Sequence, residues 1–175
     1  MTAEKSLLIV FTGNGKGKTT AALGMAMRAA GHHMNVLILQ FIKGGWAYGE
    51  LESLEKTEHV TIKTLGSGFT WNKENLDEDR RLAAAGWEEA VSEISRGRHQ
   101  VIVLDELNVV LSYGLLPLET VLRVLRGRPS EVHIVVTGRN APEELIEIAD
   151  LVTEMKQVKH PYHDQGTKAQ KGIEF

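Results

Sequence analysis

The segment Thr12-Gly13-Asn14-Gly15-Lys16-Gly17-Lys18-Thr19-Thr20 follows the apolar run Leu7–Phe11 and precedes an Ala- and Met-rich stretch, Thr19–Ala30. A buried strand, a glycine-rich turn and a helix opening on Lys-Thr are the parts of a phosphate loop. Glycines let the backbone curl with its N–H groups inward, and the helix N-terminus adds partial positive charge. Lys18 supplies a full charge, and the Thr19 hydroxyl suits a Mg²⁺ ion that keeps several waters. The general pattern wants glycine five residues before Gly17; Thr12 stands there, with Gly13 beside it. A dinucleotide-binding reading fails, because no Gly-x-Gly-x-x-Gly is present and Gln40, not an acid, ends the next apolar run.

The second chemical element is Val101-Ile-Val-Leu-Asp105-Glu106. Four apolar residues ending in two acids put both carboxylates at the C-terminal end of a strand, the edge where parallel α/β sheets bind ligands. One would hold Mg²⁺ directly or through water. The other could orient a water, act as a base or bind the metal too. Beside the phosphate loop, the pair points to a nucleoside triphosphate with Mg²⁺. It leaves open what happens to the nucleotide.

These groups need a scaffold, and the apolar pattern supplies one. Six short runs, Leu7–Phe11, Val36–Phe41, Val60–Leu65, Val101–Leu104, Val132–Thr137 and Leu151–Met155, lack strict alternation and read as strands buried on both faces. Helical patterns lie between them. Leu76–Ser95 carries a stripe of Ala83, Trp87, Ala90, Val91 and Ile94. Leu118, Val121, Leu122 and Leu125 repeat the period after Pro117, and Pro142 opens Glu143–Ala149. The expectation is an α/β fold with a mostly parallel central sheet and helices on both faces, of the P-loop NTPase (RecA-like) kind. Composition predicts no more for the polar, aperiodic stretch 160–175 than a disordered tail.

The chain has 175 residues, which suits one domain spanning 1–175 that needs no staple. Cysteine is absent, which excludes thiolate zinc sites and a cysteine nucleophile. The net charge of −3 argues against a broad grip on nucleic acid or an anionic membrane. No signal peptide or apolar stretch of about 20 residues is visible, so the expectation is a cytoplasmic protein. Aromatics make up only 6% of the chain, so Phe69 and Trp71, set among glycines in Gly66-Ser-Gly-Phe-Thr-Trp71, require a reason. Packing of that loop onto the core is the plain one. His160 and His163 have the spacing of a metal pair but no evident third ligand. His32 and His33 read as an exposed helix end, where positive charge suits the dipole.

Phe11–Ala22, Gln40-Phe-Ile-Lys-Gly44, Gly68-Phe-Thr-Trp71, Val103–Leu107, Thr137-Gly-Arg139, Val158–Tyr162 and Ala169–Phe175 occur in this order. Together they resemble the P-loop class of ATP:corrinoid adenosyltransferases over nearly the whole chain, and the Thr12 departure is part of that family's pattern. The resemblance implies a reaction at carbon. A Co(I) corrinoid attacks the 5′-carbon of ATP, a cobalt–carbon bond forms, and triphosphate leaves. ATP lies in the reverse sense relative to most P-loop proteins, so the loop would hold the leaving group. Gly13, Asn14, Gly15, Lys16, Gly17, Lys18, Thr19 and Thr20 are then expected around the phosphates, with Arg139 and Arg28 as further candidates. Thr19 and Glu106 are expected on Mg²⁺, with Asp105 beside them, possible through water. Co(I) is itself the nucleophile, so no general base is needed.

By the same resemblance, Phe69 and Trp71 press on the lower face of the corrin, displace its axial ligand and make Co(II) easier to reduce. They join Lys18 as the expected catalytic residues. The resemblance also implies an ordered C-terminal block near the site, a homodimer, and an external flavoprotein-type reductase that supplies electrons. Some relatives carry an extra segment before the first strand that covers the site; about five residues stand there here. The competing readings are a P-loop kinase or ATP-dependent ligase, and a nucleotide-dependent corrinoid carrier. A kinase or ligase shares Lys18, Thr19 and Asp105-Glu106 but leaves the aromatic loop and the C-terminal block unexplained.

Overall fold

The computed structural model describes residues 5–44, 48–68 and 76–174. In chain order the elements are β1 (Leu8–Thr12), α1 (Lys18–Ala30), β2 (Val36–Gln40), α2 (Gly49–Glu55), β3 (Val60–Thr64), α3 (Asp77–Arg96) and β4 (Val101–Asp105). Then follow α4 (Leu107–Ser112), α5 (Leu118–Arg126), β5 (His133–Thr137), α6 (Glu143–Ile148), β6 (Leu151–Glu154) and α7 (Pro161–Gln165). The strands form one sheet in the order β3-β2-β4-β5-β1-β6, with every pair parallel.

Alternation along the strands divides the core in two. Ile9, Phe11, Ile38, Val103 and Val135 face α1 and α2. Leu8, Val10, Leu39, Leu104 and Val136 face α3, α4, α5 and α6. The α1 contribution is small, Ala22, Ala26 and Ala29, which combines high helix propensity with close approach to the sheet. In α3, Ala83, Trp87, Ala90 and Ile94 are buried, as the stripe predicts, while Val91 packs at its margin. Asp77, Glu78 and Asp79 in its first turn and Arg96 in its last match the helix dipole, and Gly97 ends it in the left-handed conformation.

Two strand expectations need correction. β3 and β6 are not buried on both faces: β6 is exposed throughout, and β3 alternates half-buried Val60 and Ile62 with exposed Thr61 and Lys63. They are the sheet's two edges, and each has a neighbour on one side only. The C-terminal stretch also departs from its composition. His160 is buried, caps α7 by accepting the Tyr162 N–H on Nδ1, and lies against His163. Lys16 of the phosphate loop pairs with Glu174 at 2.9 Å, which draws the chain's end back over the site.

The strand order does the positioning. β1 and β4 are not neighbours; β5 stands between them. Phe11 is in register with Thr137, Leu104 with Val136, and Gln40 with Asp105. The C-terminal ends of β1, β5, β4 and β2 therefore align Thr12, Thr137, Asp105 and Gln40 along one edge.

Candidate active site

The phosphate loop spans the gap between β1 and α1. Gly13 has φ +92°, and a Cβ there would lie 2.6 Å from the Met155 carbonyl oxygen. The chain leaving β6 thus runs directly against the loop, and only glycine fits. The Gly15 N–H donates to that same Met155 carbonyl at 2.6 Å. Gly15 consequently braces the loop against β6 instead of presenting its N–H inward. Lys18 is buried, and its Nζ donates to the carbonyls of Gly13 and Gly15, both at 2.7 Å. Burial holds its pKa below the usual lysine value; Glu106 partly offsets this, while Arg139 and Lys16 add to it.

Asp105 is wholly buried and well supplied with donors. Its Oδ1 accepts from the Thr19 hydroxyl at 2.9 Å and the Thr137 hydroxyl at 2.7 Å. Its Oδ2 accepts from Gln40 Nε2 at 3.2 Å, with Lys43 Nζ 3.8 Å away. This carboxylate ties the start of α1 to three strand ends. Thr137 also accepts the Glu106 N–H, so its hydroxyl serves both acids. Thr137→Val is expected to cost about 1–3 kcal/mol of stability, because it strands buried polar groups. Chemical denaturation checks this, and an unchanged midpoint would count against it.

Glu106 has φ +64°, a left-handed conformation that non-glycine residues seldom adopt and that clusters at functional sites. The turn separates it from Asp105 and starts α4. Gly138 makes room opposite: a Cβ there would sit 3.1 Å from Glu106 Oε2 and 2.9 Å from the Asn108 Cβ. Burial, then the neighbouring Asp105, push the Glu106 pKa up to about 7; Lys18, Lys43 and Arg139 oppose the rise. Among the described residues no cation is in ion-pair contact with it; these three act only from a distance. Lys43 is held the other way. Burial works against its charge, but Asp105 and Glu50 outweigh it and raise its pKa; it donates to Glu50 at 2.7 Å and lies over the Tyr48 ring.

The residues expected from sequence are mostly convergent here. Gly13, Gly15, Gly17, Lys18 and Thr19 form the loop, and Asp105 and Glu106 face it across β5. Asn14, Lys16 and Thr20 are exposed at its rim. Arg139, also exposed, is near enough to Lys18 and Glu106 to act on the charge of both. Arg28 is not brought in: it is exposed in the last turn of α1, about 15 Å along the helix from Lys18. Phe69 and Trp71 lie outside the described residues. Sequence reasoning missed Thr137, Gln40 and Lys43 as parts of the site. The signal was present in the Thr137–Arg139 and Gln40–Gly44 segments, but only the register shows that they meet Asp105.

The sequence family described as ATP:corrinoid adenosyltransferase BtuR/CobO/CobP matches residues 4–175. The chain belongs to this family. Corrinoid adenosyltransferase family members closely similar to it include one from Sinorhizobium sp, 46% identical over 177 residues, covering 99% of this chain and 82% of the relative. The corrinoid adenosyltransferase CobA of Salmonella typhimurium is 42% identical over 172 residues, covering 98% of this chain and 87% of the relative. A corrinoid adenosyltransferase of Pseudomonas aeruginosa is 44% identical over 173 residues, covering 98% and 85%. For an adenosyltransferase of this family, the edge formed by β1, β5, β4 and β2 is the place to seek ATP. No group of three or more His, Cys, Asp or Glu residues arranged to hold a metal occurs among the described residues, and no helix there is long and apolar enough to cross a membrane.

Proposed function

We propose that this protein transfers the 5′-deoxyadenosyl group of ATP to the Co(I) of a corrinoid and releases triphosphate. The observation that carries the reading is the apposition of Lys18 and Thr19 to Asp105 and Glu106 across β5, in a chain of the corrinoid adenosyltransferase family. The cobalt nucleophile forms a bond to C5′ as the C5′–O bond breaks, and the electron pair leaves with the triphosphate. The protein's task is to stabilise charge on that leaving group. Lys18 has the charge and the position for it. Its present acceptors, the Gly13 and Gly15 carbonyls, are replaceable by phosphate oxygens. Arg139 adds positive potential from the rim, and the N-terminus of α1 adds more.

The donor set fits Mg²⁺. Glu106 is an under-compensated carboxyl, and the Thr19 hydroxyl, at the start of α1, is held by the adjacent Asp105. Glu106 and Thr19 would hold the cation, with Asp105 fixing Thr19 and taking part through water. When bound there, the ion would supply further neutralisation of the phosphate charge. We place Phe69 and Trp71 against the corrin. Trp71→Ala is expected to leave ATP binding nearly intact and to impair turnover from Co(II) far more than from pre-reduced Co(I). Paired assays check this, and equal losses would remove that role. A homodimer, an external flavoprotein-type reductase and a cytoplasmic setting complete the proposal.

The test is anaerobic incubation with ATP, Mg²⁺ and reduced cobalamin, following the absorbance of the cobalt–carbon bond and the phosphate product. Triphosphate with adenosylated corrinoid supports the reading. ADP would indicate a kinase or ligase, and tight ATP binding without product would overturn transfer.

A further inference from the structure

Gln40 occupies the last position of β2, where the other strands reaching the site end in Thr12, Thr137 and Asp105. It is fully buried. The register sets it beside Asp105, and its Nε2 donates to Asp105 Oδ2. The carboxylate can only accept, so this contact fixes the orientation of the amide. Oε1 then has no hydrogen-bond partner among the described residues. A buried amide oxygen without a donor is costly, and native structures seldom keep one without a use. An apolar side chain of similar length would fill the same space without that cost. Asn108 presents a parallel case on the other side of the acid pair: its Nδ2 donates to the Gly138 carbonyl, and its buried Oδ1 also lacks a donor. Unfilled acceptors thus flank the Asp105–Glu106 turn on both sides.

We propose that Gln40 is a positioning residue for the nucleotide: it holds Asp105 through Nε2 and keeps Oε1 for an O–H donor that arrives with the cation–nucleotide complex. The donor is either a water on the cation or a ribose hydroxyl. Both are O–H groups, and both enter at the edge where Asp105, Thr19 and Glu106 meet. Lys43 does not supply the missing donor in the described arrangement: its Nζ donates to Glu50 and lies 3.8 Å from Asp105 Oδ2, while Oε1 has no partner. The inference rests on the adenosyltransferase reading for the identity of the ligand.

The test uses the full chain and two variants, Gln40→Met and Gln40→Leu. Binding of Mn²⁺·ATP is measured by the loss of the free-Mn²⁺ resonance, and unfolding is measured without nucleotide. Gln40→Met removes the orphan acceptor, which relieves the ligand-free fold, and also the Nε2 donor to Asp105, which costs it, so the unfolding midpoint is expected to change little. Mn²⁺·ATP binding is expected to weaken about tenfold. A residue with only a structural role would lose stability and binding together; that result, or failure of both variants to fold, overturns the proposal. Binding within twofold of the parent in both variants also overturns it. The same comparison with 2′-deoxy-ATP and 3′-deoxy-ATP identifies the donor. If the parent–variant difference disappears with one of them, that hydroxyl is the donor; if it persists with both, the donor is a cation-bound water. Formation of adenosylcorrinoid by the parent protein is the separate control. If the parent makes none, the adenosyltransferase reading fails; if it does and the variants bind normally, only the role of Gln40 fails.

Discussion

Lys18→Met is expected to lower adenosyl transfer by about 10²–10³-fold with the fold retained, the loss typical of removing one preorganised group that stabilises developing charge. Lys18 is the loop's one buried cation. Lys16, two residues earlier, is exposed and engaged by Glu174. No other lysine of the loop can take its place. The methionine keeps the length of the side chain in a site that already desolvates the ammonium, so the core of α1 against the sheet is unaffected. What is lost is the charge facing the triphosphate, which grows as the C5′–O bond breaks. The effect should therefore fall on kcat more than on the KM for ATP. Rates of cobalt–carbon bond formation, with a circular dichroism melt beside them, check this. A loss below tenfold would show that the charge of the leaving group is borne elsewhere.

The second large effect centres on Glu106. Glu106→Gln is expected to reduce activity at least about 100-fold if this carboxylate holds the cation. The same substitution has an opposite effect on the ligand-free protein. Burial and the neighbouring Asp105 raise the pKa of Glu106 to about 7 in the fold, from the ordinary 4.5. The folded protein thus binds a proton that the unfolded chain has released, and stability falls as pH rises from about 4.5 through about 7. The loss is at most about 3 kcal/mol. Glutamine does not titrate, so the variant should unfold later than the parent at pH 8 and nearly with it at pH 5. Cation–nucleotide binding needs the ionised form, and below pH 7 it must expel the proton. Affinity in the parent should fall up to about tenfold per pH unit there, and the dependence should vanish in Glu106→Gln. Melts and titration calorimetry at several pH values measure both. A pH-independent parent would remove the raised pKa from the account.

The activity loss and the stability gain have one cause. The turn at Glu106 holds a carboxyl in a left-handed backbone conformation, close to Asp105 and with little water. This arrangement is unfavourable to the empty fold and favourable to a cation. Gln40 adds to the same pattern, because its buried acceptor is also unfilled among the described residues.

The six strands and four of the helices, α1, α3, α5 and α6, were legible in the sequence because their signals are local. Val, Ile and Leu runs of strand length mark strands, and the Ala83–Ile94 period marks α3. The phosphate loop was equally legible, since glycine spacing and the following Lys18-Thr19 belong to one continuous segment. The other three helices were not. In α4, Leu107-Asn-Val-Val-Leu is a short apolar run with no period to separate helix from strand. α2 follows residues with little pattern, and α7 depends on the His160 cap within a stretch of tail-like composition. β3 and β6 carry core-like apolar residues, yet edge position is a property of strand order, which no single strand encodes.

Residue types and spacing by themselves determined that this chain builds a phosphate loop and an acid pair at strand ends, because each lies within a few consecutive residues. Tertiary structure alone decided what surrounds them. The order β2-β4-β5-β1 places Gln40, Asp105, Thr137 and the loop side by side, although as many as 125 positions separate Thr12 from Thr137. Hydrogen bonding and burial then set the chemistry, giving Asp105 three donors and leaving Glu106 raised toward neutrality. Both depend on distances and on exclusion of water, and these exist only once the sheet has assembled.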